Sequence, residues 1–242
     1  MQADYIFHGA RIRILAEGDL AESQARALLP GVREQSFEEP DSIFQLQSQK
    51  SLLSLEHDHH MLLPNHDPEF VRQFLLARLH ESIAQHAKAH LIFRAGVVAW
   101  QGKAWVFPGP RLSGTTRLVE ALCQRGAIRY SDRLAIFDDA LNVLPYHGDA
   151  LADQTSPGAS VELVAWLPYQ PGKPLHYSPQ TAGQCALEML RIIAGGQSLL
   201  PQAMAALSSI CENAKIFKGT RADADSCAKA LALELQRATG DA

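Results

Sequence analysis

The run Ala104-Trp-Val-Phe107 leads straight into Pro108-Gly109-Pro110-Arg111-Leu112-Ser113-Gly114-Thr115-Thr116, and a helical apolar pattern then starts at Leu118, Val119 and Leu122. A strand that passes through a glycine turn into a helix belongs to a layered α/β fold, and it aims the first amides of that helix at whatever the turn encloses. The turn carries the frame G-x-x-x-x-G-K-[ST] of a phosphate-binding loop, with Gly109, Gly114 and the Thr116 hydroxyl in register. Thr115 stands where that frame has lysine. In such a loop the backbone N–H groups cradle phosphates, the lysine reaches the outer phosphate oxygens and the hydroxyl holds Mg²⁺. The candidate phosphate- or nucleotide-binding residues are therefore Gly109, Arg111, Ser113, Gly114, Thr115, Thr116 and Arg117. Arg111 or Arg117 offers a guanidinium in place of the ammonium, without matching its geometry.

The surrounding pattern supports that placement. Leu91 to Trp100 is β-rich, and Gln101-Gly102 is a hairpin signal that makes Ala104–Phe107 the partner strand. The helix from about Thr115 to Arg125 ends at Gly126. Strand patterns follow at 128–130, 134–137, 143–146 and 161–166, with a loop over 147–160. The tail from Thr181 to about Ala238 reads as helical, with breaks near Gly195-Gly196, Pro201 and Lys218-Gly219. Upstream, residues 5–15 read as one half-buried strand and 20–29 as a short helix. Short strands are expected at 43–46 and 51–55. Asp67-Pro68 opens a helix reaching about Ala89, with Phe70, Phe74, Leu75, Leu79 and Ile83 at three- and four-residue spacing.

Other residues could carry chemistry. Ser131-Asp132 follows the strand after the loop helix, where a Mg²⁺ ligand or a base for a substrate hydroxyl would sit; a turn-forming Ser-Asp pair explains it equally well. Asp132 is the one catalytic candidate, and Thr116 with Asp132 is the candidate metal pair. Glu56-His57-Asp58-His59-His60 and His66 invite a zinc reading, but the cluster has no fixed-spacing partners elsewhere and reads as a solvated connection. His147 reads as a loop histidine. Cys123, Cys185, Cys211 and Cys227 form no C-x-x-C pair and read as buried free thiols. Trp100, Trp105 and Trp166 read as core or sheet-edge residues.

A formal net charge of −4 without a block of like charge argues against a nucleic-acid footprint. No signal-peptide pattern precedes Tyr5, and no apolar run approaches the ~18 residues of a membrane span. A cytoplasmic, reduced, soluble protein with no membrane association is the expectation.

Phe93-Arg94-Ala95-Gly96-Val97-Val98-Ala99, Gly102-Lys103-Ala104, Phe107-Pro108-Gly109, Gly114, Thr116, Leu122, Arg125-Gly126 and Tyr130-Ser131-Asp132 follow one another in an order and spacing that resembles the HPr kinase/phosphorylase family, and more closely its shorter HprK-related relatives. The resemblance covers about Leu91 to Tyr146. It implies an α/β fold with a P-loop-containing sheet of the HPr kinase C-terminal, phosphoenolpyruvate carboxykinase-like type. A small N-terminal α+β portion (1–89) would precede the P-loop domain and its C-terminal helices (90–242). It also implies ATP and Mg²⁺ as cofactors, a small protein or peptide carrying a serine as partner, and a possible homo-oligomer. The departures fall at working positions: Thr115 for lysine, Arg94 for the usual histidine, and Arg133 for a second aspartate. The function expected is a divergent relative, weak or inactive in phosphotransfer, that keeps a phosphate or nucleotide pocket at Gly109, Arg111, Ser113, Gly114 and Thr116 and acts as a binding or regulatory partner. Arg94, Arg111 and Arg133 would add positive charge to that pocket. The alternatives are an active ATP-dependent serine kinase with Asp132 as base, and a protein–protein adaptor with no ligand.

Overall fold

The computed structural model describes residues 1–28, 36–87, 91–110, 112–146, 158–194 and 200–239, without the side chains of 200–202 and 234–239. These residues form a mixed α/β structure with two mixed sheets and six helices, arranged as two compact units, one within 1–87 and one from 91 onward.

The first unit is a five-stranded sheet in sequence order: β1 (Gln2–Phe7), β2 (Ala10–Glu17), β3 (Ser42–Gln49), β4 (Leu52–His57) and β5 (His60–His66). β2 and β3 run parallel, with α1 (Asp19–Leu28) between them in the chain, and the other pairs are antiparallel. The single strand expected over 5–15 is a hairpin instead. His8 (φ 49°) and Gly9 (φ 85°) reverse the chain between β1 and β2. Alternation along β2 buries Ala10, Ile12, Ile14 and Ala16. Arg11 and Arg13 take the other face, each gripping a carboxylate with two nitrogens: Arg11 binds Asp41 and Arg13 binds Asp4. The Arg13 guanidinium holds the Asp4 carboxyl below the usual carboxylate range. α2 (Pro68–His86) starts as its sequence dictates, with the Asp67 carboxylate accepting from the N–H groups of Glu69 and Phe70. It buries Val71, Leu75, Leu76, Leu79 and Ile83, whereas Phe70, expected on that face, is half exposed.

The second unit is built on β6 (Leu91–Trp100) and β7 (Lys103–Pro108), joined at Gln101-Gly102, both with positive φ. β11 (Val161–Trp166) pairs parallel to β7, and β13 (Lys215–Thr220) pairs parallel to β11. β12 (His176–Pro179) closes that edge antiparallel to β13. On the other side β6 carries two short strands end to end, β9 (Leu134–Phe137) along 91–94 and β8 (Ile128–Ser131) along 97–99. β10 (Val143–Leu144) pairs with β9. The helical tail expected from Thr181 needs correction, because β13 is a strand set between α5 (Leu200–Asn213) and α6 (Ala224–Thr239). Position Gly195-Gly196, read as a break, and the 147–157 part of the expected loop lie outside the described residues.

Helices cover both faces of this sheet, which explains why its strands are apolar almost without interruption. Val97, Val106 and Val164 share one core with Cys185 and Met189 of α4 (Ala182–Leu190) and with Leu207, Ile210 and Cys211 of α5. One residue along each strand, Val98, Trp105, Leu163 and Ala165 face the opposite core, formed with α3 (Thr115–Cys123) and α6. Trp105 is fully buried, and Trp100 stacks on it. α3 closes at Gly126 (φ 101°), where the Ala127 N–H returns to the Leu122 carbonyl at 3.2 Å. Among the described residues no helix is long and apolar enough to cross a membrane.

Candidate functional site

β7, β8, β11 and β13 all end at one edge of the second sheet. β7 pairs antiparallel with β6 and so does β8, which makes β8 parallel to β7. That edge therefore gathers the loop after β7, Asp132 after β8, Tyr169 beyond β11 and Arg221 beyond β13. The carboxyl ends of parallel strands are where open α/β sheets place their ligands.

The loop is pinned at successive peptides. The Gly109 N–H donates to the Arg94 carbonyl at 3.3 Å, and the Ser113 N–H to the Pro110 carbonyl at 3.2 Å. The Ser113 carbonyl accepts from the Tyr169 N–H at 2.9 Å, and the Gly114 carbonyl from Arg221 Nη2 at 2.5 Å and the Leu118 N–H at 3.3 Å. The C=O and N–H of a trans peptide point in opposite directions. Holding the carbonyls of Ser113 and Gly114 therefore turns the amides of Gly114 and Thr115 away from Tyr169 and Arg221. Gly114 is left-handed (φ 79°, ψ 13°) and caps α3 with no side-chain hydrogen bond. A left-handed residue leading into a helical one makes a concave row of N–H groups suited to an anion. Gly109 is needed for space, since a Cβ there would come within 2.5 Å of Ser113 Oγ.

Thr115 does not reach over the loop as a lysine would. Its hydroxyl lies 2.7 Å from Ser113 Oγ, and its methyl fills the space that Gly96 leaves open on β6. Thr116, exposed on the first turn of α3, donates from Oγ1 to Asp132 Oδ2 at 3.3 Å. The Asp132 side chain is 10% exposed, and its other oxygen lies 4.0 Å from Arg133 Nε. The two readings of Ser131-Asp132 divide between its residues. Ser131 Oγ accepts from the N–H groups of Arg133 and Leu134 and makes the turn, which leaves the Asp132 carboxylate directed at Thr116. A hydroxyl and a carboxylate are the hard oxygen donors Mg²⁺ takes from protein when phosphates and water complete its shell. Arg117 is exposed beside Thr116, and Arg94 is exposed on β6 opposite Leu134, next to Arg133. Tyr146 is buried, which pushes its hydroxyl well above the usual tyrosine range, with Arg133 and Asp132 near enough to influence it. Arg111 lies outside the described residues.

The remaining candidates separate from this site. Among the described residues no three His, Cys, Asp or Glu side chains gather as metal ligands. The histidine connection is a hairpin turning at Asp58 and His59, both with positive φ; Asp58, His59, His60 and His66 are exposed as a solvated connection requires, and of these histidines His57 alone turns inward. His57 stacks on Phe44 at 4.3 Å, its Nε2 lies 2.7 Å from Ser42 Oγ, and burial lowers its pKa. Cys185, Cys211 and Cys227 are buried free thiols, and Cys123 is partly buried. His147 lies outside the described residues.

Arg221 is the residue at this loop that sequence reasoning missed. It is 2% exposed, lies beyond a strand read as helix, and meets the loop across 107 residues. No family model matches the chain, and no curated protein matches it.

Proposed function

We propose that the second unit binds the phosphates of a nucleotide, with Mg²⁺, at the loop between β7 and α3, as a divergent member of the HPr-kinase-like group that is weak or inactive in phosphotransfer. The pocket would serve binding or regulation, toward a small protein or peptide partner. The observation that carries the reading is the Thr116 Oγ1–Asp132 Oδ2 contact at 3.3 Å, directly beside uncapped amides at the start of α3. Thr116 and Asp132 would hold the metal, and the amides of Gly114, Thr115 and Thr116 would hold the phosphate. The same geometry argues against efficient transfer. Thr115 bonds back to Ser113, and Arg133 rather than a second carboxylate follows Asp132. Losing one preorganised group that stabilises transition-state charge costs about 3–4 kcal/mol, or two to three orders of magnitude in rate.

Thermal unfolding with nucleotide tests the reading. Mg·ATP at about 100 times its Kd is expected to add ~2.7 kcal/mol of stability. Asp132→Asn should remove the Mg²⁺-dependent part of that gain while the response to metal-free pyrophosphate persists. No stabilisation by Mg·ATP, Mg·ADP or pyrophosphate at millimolar concentration would overturn the proposal and favour an adaptor. Transfer of labelled phosphate to a serine peptide at the ~1–100 s⁻¹ of working kinases would favour the active enzyme.

A further inference from the structure

We propose that Arg221 is the positioning cation of the anion site: it sets phosphate affinity from behind the loop by fixing the Gly114 carbonyl and by supplying a positive charge that no carboxylate among the described residues meets in a direct ion pair. This inference rests on the anion-binding reading above. Arg221 is 98% buried by its 2% exposure, its Nη2 donates to the Gly114 carbonyl, and its Nε has no partner among the described residues. It forms no ion pair among them either. Desolvation pulls its pKa below the ordinary arginine value, only partly offset by Cys227, Asp223 and Tyr169.

Two penalties coincide here. A guanidinium removed from water without a counter-charge is unfavourable, and a cation at the N-terminus of a helix opposes the helix dipole. An anion seated on the first amides of α3 would relieve both. The mounting is also rigid. The Arg221 carbonyl accepts from the Gln170 N–H at 2.9 Å and its N–H donates to the Pro168 carbonyl at 3.3 Å, so Tyr169 and Arg221 act as one clamp on the carbonyls of Ser113 and Gly114. The ligand class that matches is a di- or triphosphate, whose spread negative charge answers the amides in front and the guanidinium behind.

Titration of inorganic pyrophosphate into the full chain, wild type against Arg221→Met and Arg221→Lys, decides the matter when each protein's urea midpoint is also measured. Arg221→Met is expected to bind at least tenfold more weakly and with a shallower salt dependence, yet to be no less stable without ligand, because a buried unpaired charge has been replaced by an apolar chain. Arg221→Lys should recover part of the affinity through its charge. A purely structural strut gives the reverse: Arg221→Met destabilised or unfolded, and Arg221→Lys binding as wild type. That result overturns the inference while leaving the anion site intact. A wild-type protein that binds neither pyrophosphate nor Mg·ATP overturns the functional reading itself.

Discussion

Gly114→Val is expected to abolish pyrophosphate binding and to destabilise the second unit by about 2–5 kcal/mol. Two effects add. A β-branched residue forced to φ 79° carries roughly 1–2 kcal/mol of left-handed strain. Its Cβ would also lie 2.7 Å from Arg221 Nη2 and 3.0 Å from Tyr169 Cβ, and overpacking of that kind costs typically ~1–3 kcal/mol. Arg221 cannot retreat without releasing the Gly114 carbonyl. The measurement is the urea midpoint followed by tryptophan fluorescence, which reports this unit because Trp100, Trp105 and Trp166 all lie in it. Gly126→Ala is the control. Gly126 has φ 101° with nothing within 4 Å of its missing Cβ, so only the strain of about 1–2 kcal/mol remains. Equal losses at the two positions would refute the close approach of Arg221 and Tyr169 to the loop.

Gly219→Ala is expected to be as damaging for a different reason. Its φ is ordinary, but a Cβ there would overlap the His176 carbonyl oxygen and lie 2.6 Å from Tyr177 Cα. Those are backbone atoms of β12, paired to β13 at Tyr177↔Gly219, so no side chain can rotate to make room. The two strands must part, at about 3 kcal/mol or more, near the top of what overpacking costs. Arg221 lies two residues further on and would lose its mounting, so pyrophosphate affinity should fall together with stability. Gly183→Ala, in α4 with nothing within 4 Å of the added Cβ, should instead be neutral or stabilising by up to ~1 kcal/mol. A Gly219→Ala protein with wild-type midpoint and affinity would contradict the β12–β13 pairing described above.

What was legible in the sequence was local. Gln101-Gly102, Asp67-Pro68 and Gly126 each declare a turn or a helix end through their own backbone preferences, and the β7–loop–α3 element follows from a short continuous apolar run and helical spacing on either side of two glycines. What was not legible depends on distant partners. Lys215–Thr220 offers only Ile216 and Phe217 as apolar residues and sits between two helices. It is a strand because β11 supplies parallel hydrogen bonds to it. Arg221 looks like any polar turn residue until β13 brings it under Gly114. The pairing of Thr116 with Asp132 lay between these cases. The spacing suggested proximity, and the two side chains meet because β8 and α3 end at the same edge of the sheet. His57 was misread because an apolar stacking partner, Phe44, comes from a neighbouring strand.

The most direct test is to follow backbone amide resonances of the full chain as pyrophosphate is added, first without and then with Mg²⁺. The account predicts that the largest changes fall on the N–H groups of Gly114, Thr115, Thr116 and Arg117, and that Mg²⁺ adds changes at Thr116 and Asp132. Unmoved resonances at 114–117 under millimolar pyrophosphate, or changes centred on another surface, would contradict it.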